Sequence, residues 1–292
     1  MQIRLGWSKA VRGVIAGAME QSQLKFLKMH GAGNDFVIFD ARAVAVRITP
    51  ALAQAIGHRH FGVGFDQLAI IHADQGVEAR LEFYNSDGSI SATCGNATRC
   101  IASKLLDETG KNEITLRTER GDLSCRRRAD GLTEVNMGQP IFEWDAIPLA
   151  QDVDTLHLPI DGDPAAVSMG NPHMSFVVDD AEKVDLKARG ASLEHHPLYP
   201  ERTNVEFLSL LGPDTIRMRI WERGAGITLA SGSGSCAAAI TAARRGLTGR
   251  KVKGQVDGGM IEINWTDSGV WMTGPVQLVF EGYLAVEFLE QV

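Results

Sequence analysis

A shift of 137 positions lays one stretch of this 292-residue chain onto another. Gly33-Asn34 falls on Gly170-Asn171, Phe39 on Phe176, Gln67 on Asn204, Arg80 on Arg217, Ile90 on Ile227 and Cys94-Gly95 on Ser231-Gly232. Asn85 and Glu222 also coincide, each nine residues before Cys94 and Ser231. Register holds without an insertion over about 70 residues. A unit repeated in register is expected to fold the same way twice, so a feature at one position has a counterpart in space.

Each copy reads as strands followed by a helix. Ala79-Arg-Leu-Glu-Phe-Tyr84 and Ile216-Arg-Met-Arg-Ile-Trp221 alternate with the period of a half-buried strand. The runs from Cys94 and Ser231 begin with small polar residues, continue with helix formers and meet Gly110 and Gly246, the pattern of helices with glycine stops. The expected fold is α+β, with two pseudo-symmetric domains, each a mixed sheet wrapped around a central helix. Pro140 to Pro164, with four prolines, is the best linker, which divides the chain into residues 24–140 and 141–275. A length prior of roughly 150 residues per domain also gives two, and 44% apolar residues suffice for a substantial core.

The formal charge is -7 with no basic run, which argues against nucleic acid as a partner. Cys94, Cys100, Cys125 and Cys236 are too few and scattered for a disulfide framework and form no paired CxxC modules, so no metal site is expected and a reducing, cytoplasmic setting is. Residues 1–23 carry Arg4, Lys9 and Arg12, but their longest apolar stretch, Val14 to Met19, is too short for a signal peptide or a membrane span. They read as a disordered leader, with Met19 as an alternative start.

A small polar residue followed by glycine at a helix start puts a side chain beside several unpaired N–H groups at the positive end of the dipole. A cysteine there is expected to have its thiolate favoured. Two such starts, Cys94-Gly95 and Ser231-Gly232, related by a pseudo-twofold, can clamp one carboxylate between them. Gly31-Ala-Gly33-Asn34-Asp35 is glycine-rich but lacks the Gly-Lys-Ser/Thr ending of a phosphate loop and the third glycine of a dinucleotide fingerprint.

Six segments in order carry a resemblance: Lys28-Met-His-Gly-Ala-Gly-Asn-Asp-Phe36, Gly64-Phe-Asp-Gln67, Asn85-Ser-Asp-Gly88, Cys94-Gly-Asn96, Gly170-Asn-Pro-His173 and Glu222-Arg-Gly-Ala-Gly226. From about residue 24 to its end the chain resembles the diaminopimelate epimerase family. The resemblance implies a homodimer without cofactor that interconverts LL- and meso-diaminopimelate for lysine and peptidoglycan synthesis by two-base α-proton transfer. It also implies that C-terminal strands, 276–292, return to the first domain.

Carried over by position, Cys94 resembles one of the two bases. Backbone groups at Gly95, Asn96, Gly232 and Ser233 match those that hold the α-carboxylate. Asn85, Asn171, Asn204, Glu222 and Arg223 match the residues around the distal amino-acid centre, Asn34 and Gln67 complete the pocket, and His173 and Glu222 match residues that tune the bases. The departure is Ser231, which stands where the family has its second catalytic cysteine. A hydroxyl is a far weaker acid than a thiol, so three alternatives stand: an inactivated Cys-to-Ser variant, an enzyme whose serine is assisted by His173 or Glu222, or a paralogue with a changed reaction or a binding role alone. A proline or hydroxyproline epimerase is the other isomerase reading; Glu222 and Arg223 argue against it, since such a substrate has no second ammonium and carboxylate.

Overall fold

The computed structural model describes residues 24–292, so the leader expected at 1–23 lies outside the described residues. The chain starts as a tight antiparallel hairpin of β1 (Lys25–Gly31) and β2 (Asn34–Asp40). Its two loop residues, Ala32 and Gly33, have φ of 51° and 82°. Two positive φ values match the right-handed strand twist, and this turn accounts for the glycine-rich segment.

A crossover through α1 (Pro50–Gly57) leads to β3 (Gln67–His72), parallel to β2. Then follow β4 (Ala79–Asn85), β5 (Ile90–Ser91), α2 (Gly95–Thr109), β6 (Glu113–Thr118), β7 (Gly121–Arg127) and β8 (Thr133–Asn136). The second half repeats the order with β9 (Ala165–Ser168), β10 (Pro172–Val177), α3 (Leu186–Glu194), β11 (Asn204–Gly212), β12 (Thr215–Glu222), β13 (Gly226–Ile227), α4 (Gly232–Arg244), β14 (Lys251–Val256), β15 (Gly259–Thr266) and β16 (Gly269–Gly274). Last come β17 (Gln277–Tyr283) and α5 (Val286–Leu289).

The repeat holds at the level of strand register. Phe36 pairs with Gln67 in the parallel β2–β3 ladder, and His173 with Asn204 in the parallel β10–β11 ladder. Tyr84 pairs with Ile90, and Trp221 with Ile227. The architecture is α+β. Helix α2 packs against β1, β6, β7 and β8, and α4 against β9 to β12 and β14 to β16. Helix α4 is buried nearly all round and filled by small and apolar residues, whereas α2 is buried through most of its length, with Asn96 and Arg99 inside, and exposes Asp107–Thr109. Each anchors its own core: Cys100, Ile101 and Leu105 with Ile38, Phe83 and Leu116 in the first half, Ala237, Ile240 and Cys236 with Met218, Ile261 and Met272 in the second.

β17 pairs antiparallel with β1 and β16 with β8, so the end of the chain is stitched to the first half. Residues 140–164 hold no helix or strand, but Ile147, Leu149 and Leu158 bury beneath Phe176 and Phe207. No helix among the described residues is long and apolar enough to cross a membrane.

Candidate active site

The starts of α2 and α4 meet. A Cβ placed on Gly232 would lie 3.5 Å from the Asn96 backbone nitrogen and 3.1 Å from Met272 Sδ. A Cβ on Gly95 would lie 2.7 Å from Met137 Cε and 3.1 Å from Met272 Cε. Both helix starts thus close on the same methionine, and the ends of the Met137 and Met272 side chains fill the space beside the two glycines.

Cys94 and Ser231 are the N-caps of these helices, both in extended backbone conformation. The Cys94 thiol accepts from the Ala97 N–H at 3.4 Å, and the Ser231 hydroxyl from the Gly234 N–H at 3.3 Å. The expectation of a favoured Cys94 thiolate is corrected here. Burial pushes its pKa up to about 12, against the opposing pull of the Ala97 N–H. A helix terminus contributes at most about 2 kcal/mol, or about 1.5 pKa units, so in this dry setting desolvation wins.

Ser231 differs from Cys94 in its partner. Its Oγ donates to Glu222 Oε2 at 2.9 Å, and Thr228 Oγ1 donates to Glu222 Oε1 at 2.5 Å. Burial raises the Glu222 pKa above the ordinary carboxylate value despite both bonds. Glu222 therefore sits at the Ser231 end of the site, with its carboxylate turned to two hydroxyls.

The amide side chains pair in repeat-related fashion. Asn96 Nδ2 donates to Asn34 Oδ1 at 3.1 Å, and at the equivalent place Asn171 Nδ2 donates to Ser233 Oγ at 3.4 Å. Gln67 Nε2 donates to Asn85 Oδ1 at 3.1 Å, and Asn85 in turn to Ser89 Oγ at 3.0 Å. Asn204 donates to the Pro172 carbonyl and accepts from the Arg223 backbone N–H, both at 2.9 Å. The Arg223 side chain is exposed and donates to the Glu201 carbonyl at 3.2 Å.

His173 is fully buried between acceptors, with Nδ1 2.6 Å from Glu206 Oε1 and Nε2 3.0 Å from Asn171 Oδ1. Glu206 is equally buried and also accepts from Ser175 Oγ at 2.9 Å. Contacts at both ring nitrogens fix the orientation of the imidazole between Glu206 and Asn171. Sequence reasoning missed Glu206; its only signal was a lone acid in the apolar strand Val205-Glu-Phe-Leu208. It also missed Asp66 and Arg99, which bond Asn34 and Asn96.

A family model described as diaminopimelate epimerase matches residues 26–143 and 165–279. The diaminopimelate epimerase of Rhodospirillum centenum is 52% identical over 272 residues, covering 91% of this chain and 94% of that protein. That of Acidiphilium cryptum is 50% identical over 270 residues, covering 90% and 97%. Among solved structures, a hydroxyproline epimerase from Agrobacterium vitis superposes with a TM-score of 0.65 at 14% identity, covering 90% of this chain and 92% of that one. A phenazine biosynthesis protein of the PhzF family from Bacillus anthracis gives 0.64 at 15%, covering 90% and 99%. These two share the fold alone. With half its residues identical to two diaminopimelate epimerases along almost their whole length, the chain belongs to the diaminopimelate epimerase family.

Proposed function

We infer that this chain epimerises diaminopimelate by passing the α-proton between two groups on opposite faces of the α-carbon, Cys94 and Ser231. The observation that carries the reading is the meeting of two helix starts, each capped by an acid–base side chain and each offering free N–H groups. The N–H groups at Gly95, Asn96, Gly232 and Ser233 suit an α-carboxylate and the negative charge that spreads onto it as the carbanion forms.

The resting protonation states give the two groups different starting roles. Cys94, held as a thiol, is ready to donate; Ser231, hydrogen-bonded to Glu222, is ready to accept. In the forward step the Cα–H bond breaks, its proton goes to Ser231 Oγ, and the hydroxyl proton moves to Glu222. The Cys94 thiol then delivers its proton to the opposite face, leaving a thiolate. The reverse reaction starts from that thiolate and the protonated Glu222. Asn34, Gln67, Asn85, Asn171, Asn204 and Arg223 form the pocket, with Arg223 for the distal carboxylate. His173, braced by Glu206, sets the Asn171 amide beside Ser233.

Residues 24–140 with 276–292, and residues 141–275, are read as the two domains, a division the β17–β1 pairing favours. A cytoplasmic homodimer needing no cofactor completes the reading. For the dimer, β17 supplies support: Leu278, Val279, Phe280 and Tyr283 are all exposed on a strand paired, among the described residues, only with β1.

Deuterium wash-in tests the reading. Solvent deuterium should enter the α-position of diaminopimelate, and Cys94→Ala should abolish net epimerisation. A chain that binds diaminopimelate without exchanging its α-proton is a binding protein instead.

A further inference from the structure

Asp66 and Arg99 lie within or beside the family motifs, and the pocket joins them. Arg99 Nη1 donates to Asn96 Oδ1 at 2.8 Å, Asn96 Nδ2 to Asn34 Oδ1 at 3.1 Å, and Asn34 Nδ2 to Asp66 Oδ2 at 2.8 Å. Every donor in this run points the same way, from cation to carboxylate. Each amide has its oxygen committed on one side and its nitrogen on the other, so turning either one over breaks two bonds.

Arg99 is fully buried, and its remaining bond is to the Pro275 carbonyl at 3.4 Å. Its Nε has no partner, and among the described residues no carboxylate is paired with its guanidinium. The group is wedged between glycines: a Cβ on Gly31 would lie 2.7 Å from Nη2, and one on Gly274 would lie 3.2 Å from Cζ. The repeat counterpart of Arg99 is Cys236, so only the Cys94 half has this cation. A dry guanidinium whose counter-charge lies two amides away costs stability. Packing gives no return for that cost; an anion arriving at the start of α2 does.

We propose that Arg99 is a positioning residue for substrate: through Asn96 and Asn34 it fixes the amide orientations of the Cys94 half-site, and its charge favours an amino-acid carboxylate at the start of α2. Asp66 anchors the other end of the run, itself held by Arg59 at 2.6 Å. The inference rests on the reading of Cys94, Asn34 and Asn96 as site residues.

Steady-state kinetics and thermal melting of Arg99→Met, Arg99→Lys, Asp66→Ala and the Arg99→Met/Asp66→Ala double variant test it. Arg99→Met should raise KM for diaminopimelate at least tenfold with kcat changed less than threefold, while Tm holds or rises because a buried unpaired charge is gone. Arg99→Lys should recover much of the KM. Asp66→Ala should raise KM less, and the double variant should be no worse than Arg99→Met, since the run is already broken. KM and kcat within twofold of the parent in Arg99→Met overturn the inference. Should Arg99→Met not fold, unchanged KM in Asp66→Ala overturns it equally. Cys94→Ala, assayed alongside, separates the two claims: full activity there sinks the site reading, whereas lost activity with an indifferent Arg99→Met sinks only this one.

Discussion

Ser231 donates its hydroxyl hydrogen to Glu222 at 2.9 Å, whereas Cys94 has no such carboxylate in its own copy. The repeat counterpart of Glu222 is Asn85, which is turned to Gln67 and Ser89. The weaker acid of the pair is the one given a proton acceptor. A hydroxyl that passes its proton to a carboxylate as it takes one works at the pKa of the carboxylate, and burial moves that pKa toward neutrality.

Glu222→Gln should therefore cut kcat by about 100-fold or more, the lower end of what a positioned acid–base group contributes. Glu222 must be ionised to accept the proton. Its pKa is raised, so the acid limb of kcat/KM should fall at a pH above the ordinary carboxylate range, with activity lost as pH drops through it. A pH–rate profile checks this. An acid limb unchanged in Glu222→Gln would assign it to another group.

Cys94 should resist alkylation in the resting enzyme near neutral pH. Its thiol is buried and shifted to about 12, and Cys100 and Cys236 are shifted as far by the same cause. Iodoacetamide labelling mapped by peptide mass should stay slow at pH 7 and climb only in the alkaline range. Rapid, selective labelling of Cys94 at pH 7 would show that the helix terminus outweighs burial after all.

The repeat, the α+β class and the helices starting at Cys94 and Ser231 were legible because they depend on local pattern. Strand alternation at 79–84 and 216–221 and the Gly110 stop, at φ 67°, needed no tertiary information. The state of Cys94 was not legible, since the dipole is a property of the helix while desolvation comes from what packs over it. Arg99 reads in sequence as one more charged helical residue, and the glycines that leave room for its guanidinium, Gly31 and Gly274, lie far from it in the chain. Glu206 is hidden for a similar reason: a strand acid shows its partner only when β10 brings His173 alongside.

Phe280→Asp should weaken self-association. Phe280 and its neighbours on β17 form an exposed apolar stretch at the edge of the sheet, where a charge opposes pairing with a second copy. Analytical ultracentrifugation should show the parent as a dimer and the variant shifted toward monomer. An unchanged dimer would place the interface elsewhere.

Opposed transfer by Cys94 and Ser231 is the central claim, and net epimerisation of diaminopimelate by the parent, Ser231→Cys and Ser231→Ala tests it most directly. Relay through Glu222 offsets most of the several pKa units between serine and a thiol, and each unit left uncovered is worth about 1.4 kcal/mol, or tenfold in rate when fully expressed. Ser231→Cys should accordingly epimerise at least tenfold faster than the parent, which Glu222 keeps active. Ser231→Ala should lose net epimerisation and, with Cys94 resting as a thiol, α-deuterium exchange as well. A parent no faster than Ser231→Ala would contradict the account, because Ser231 would then carry no proton.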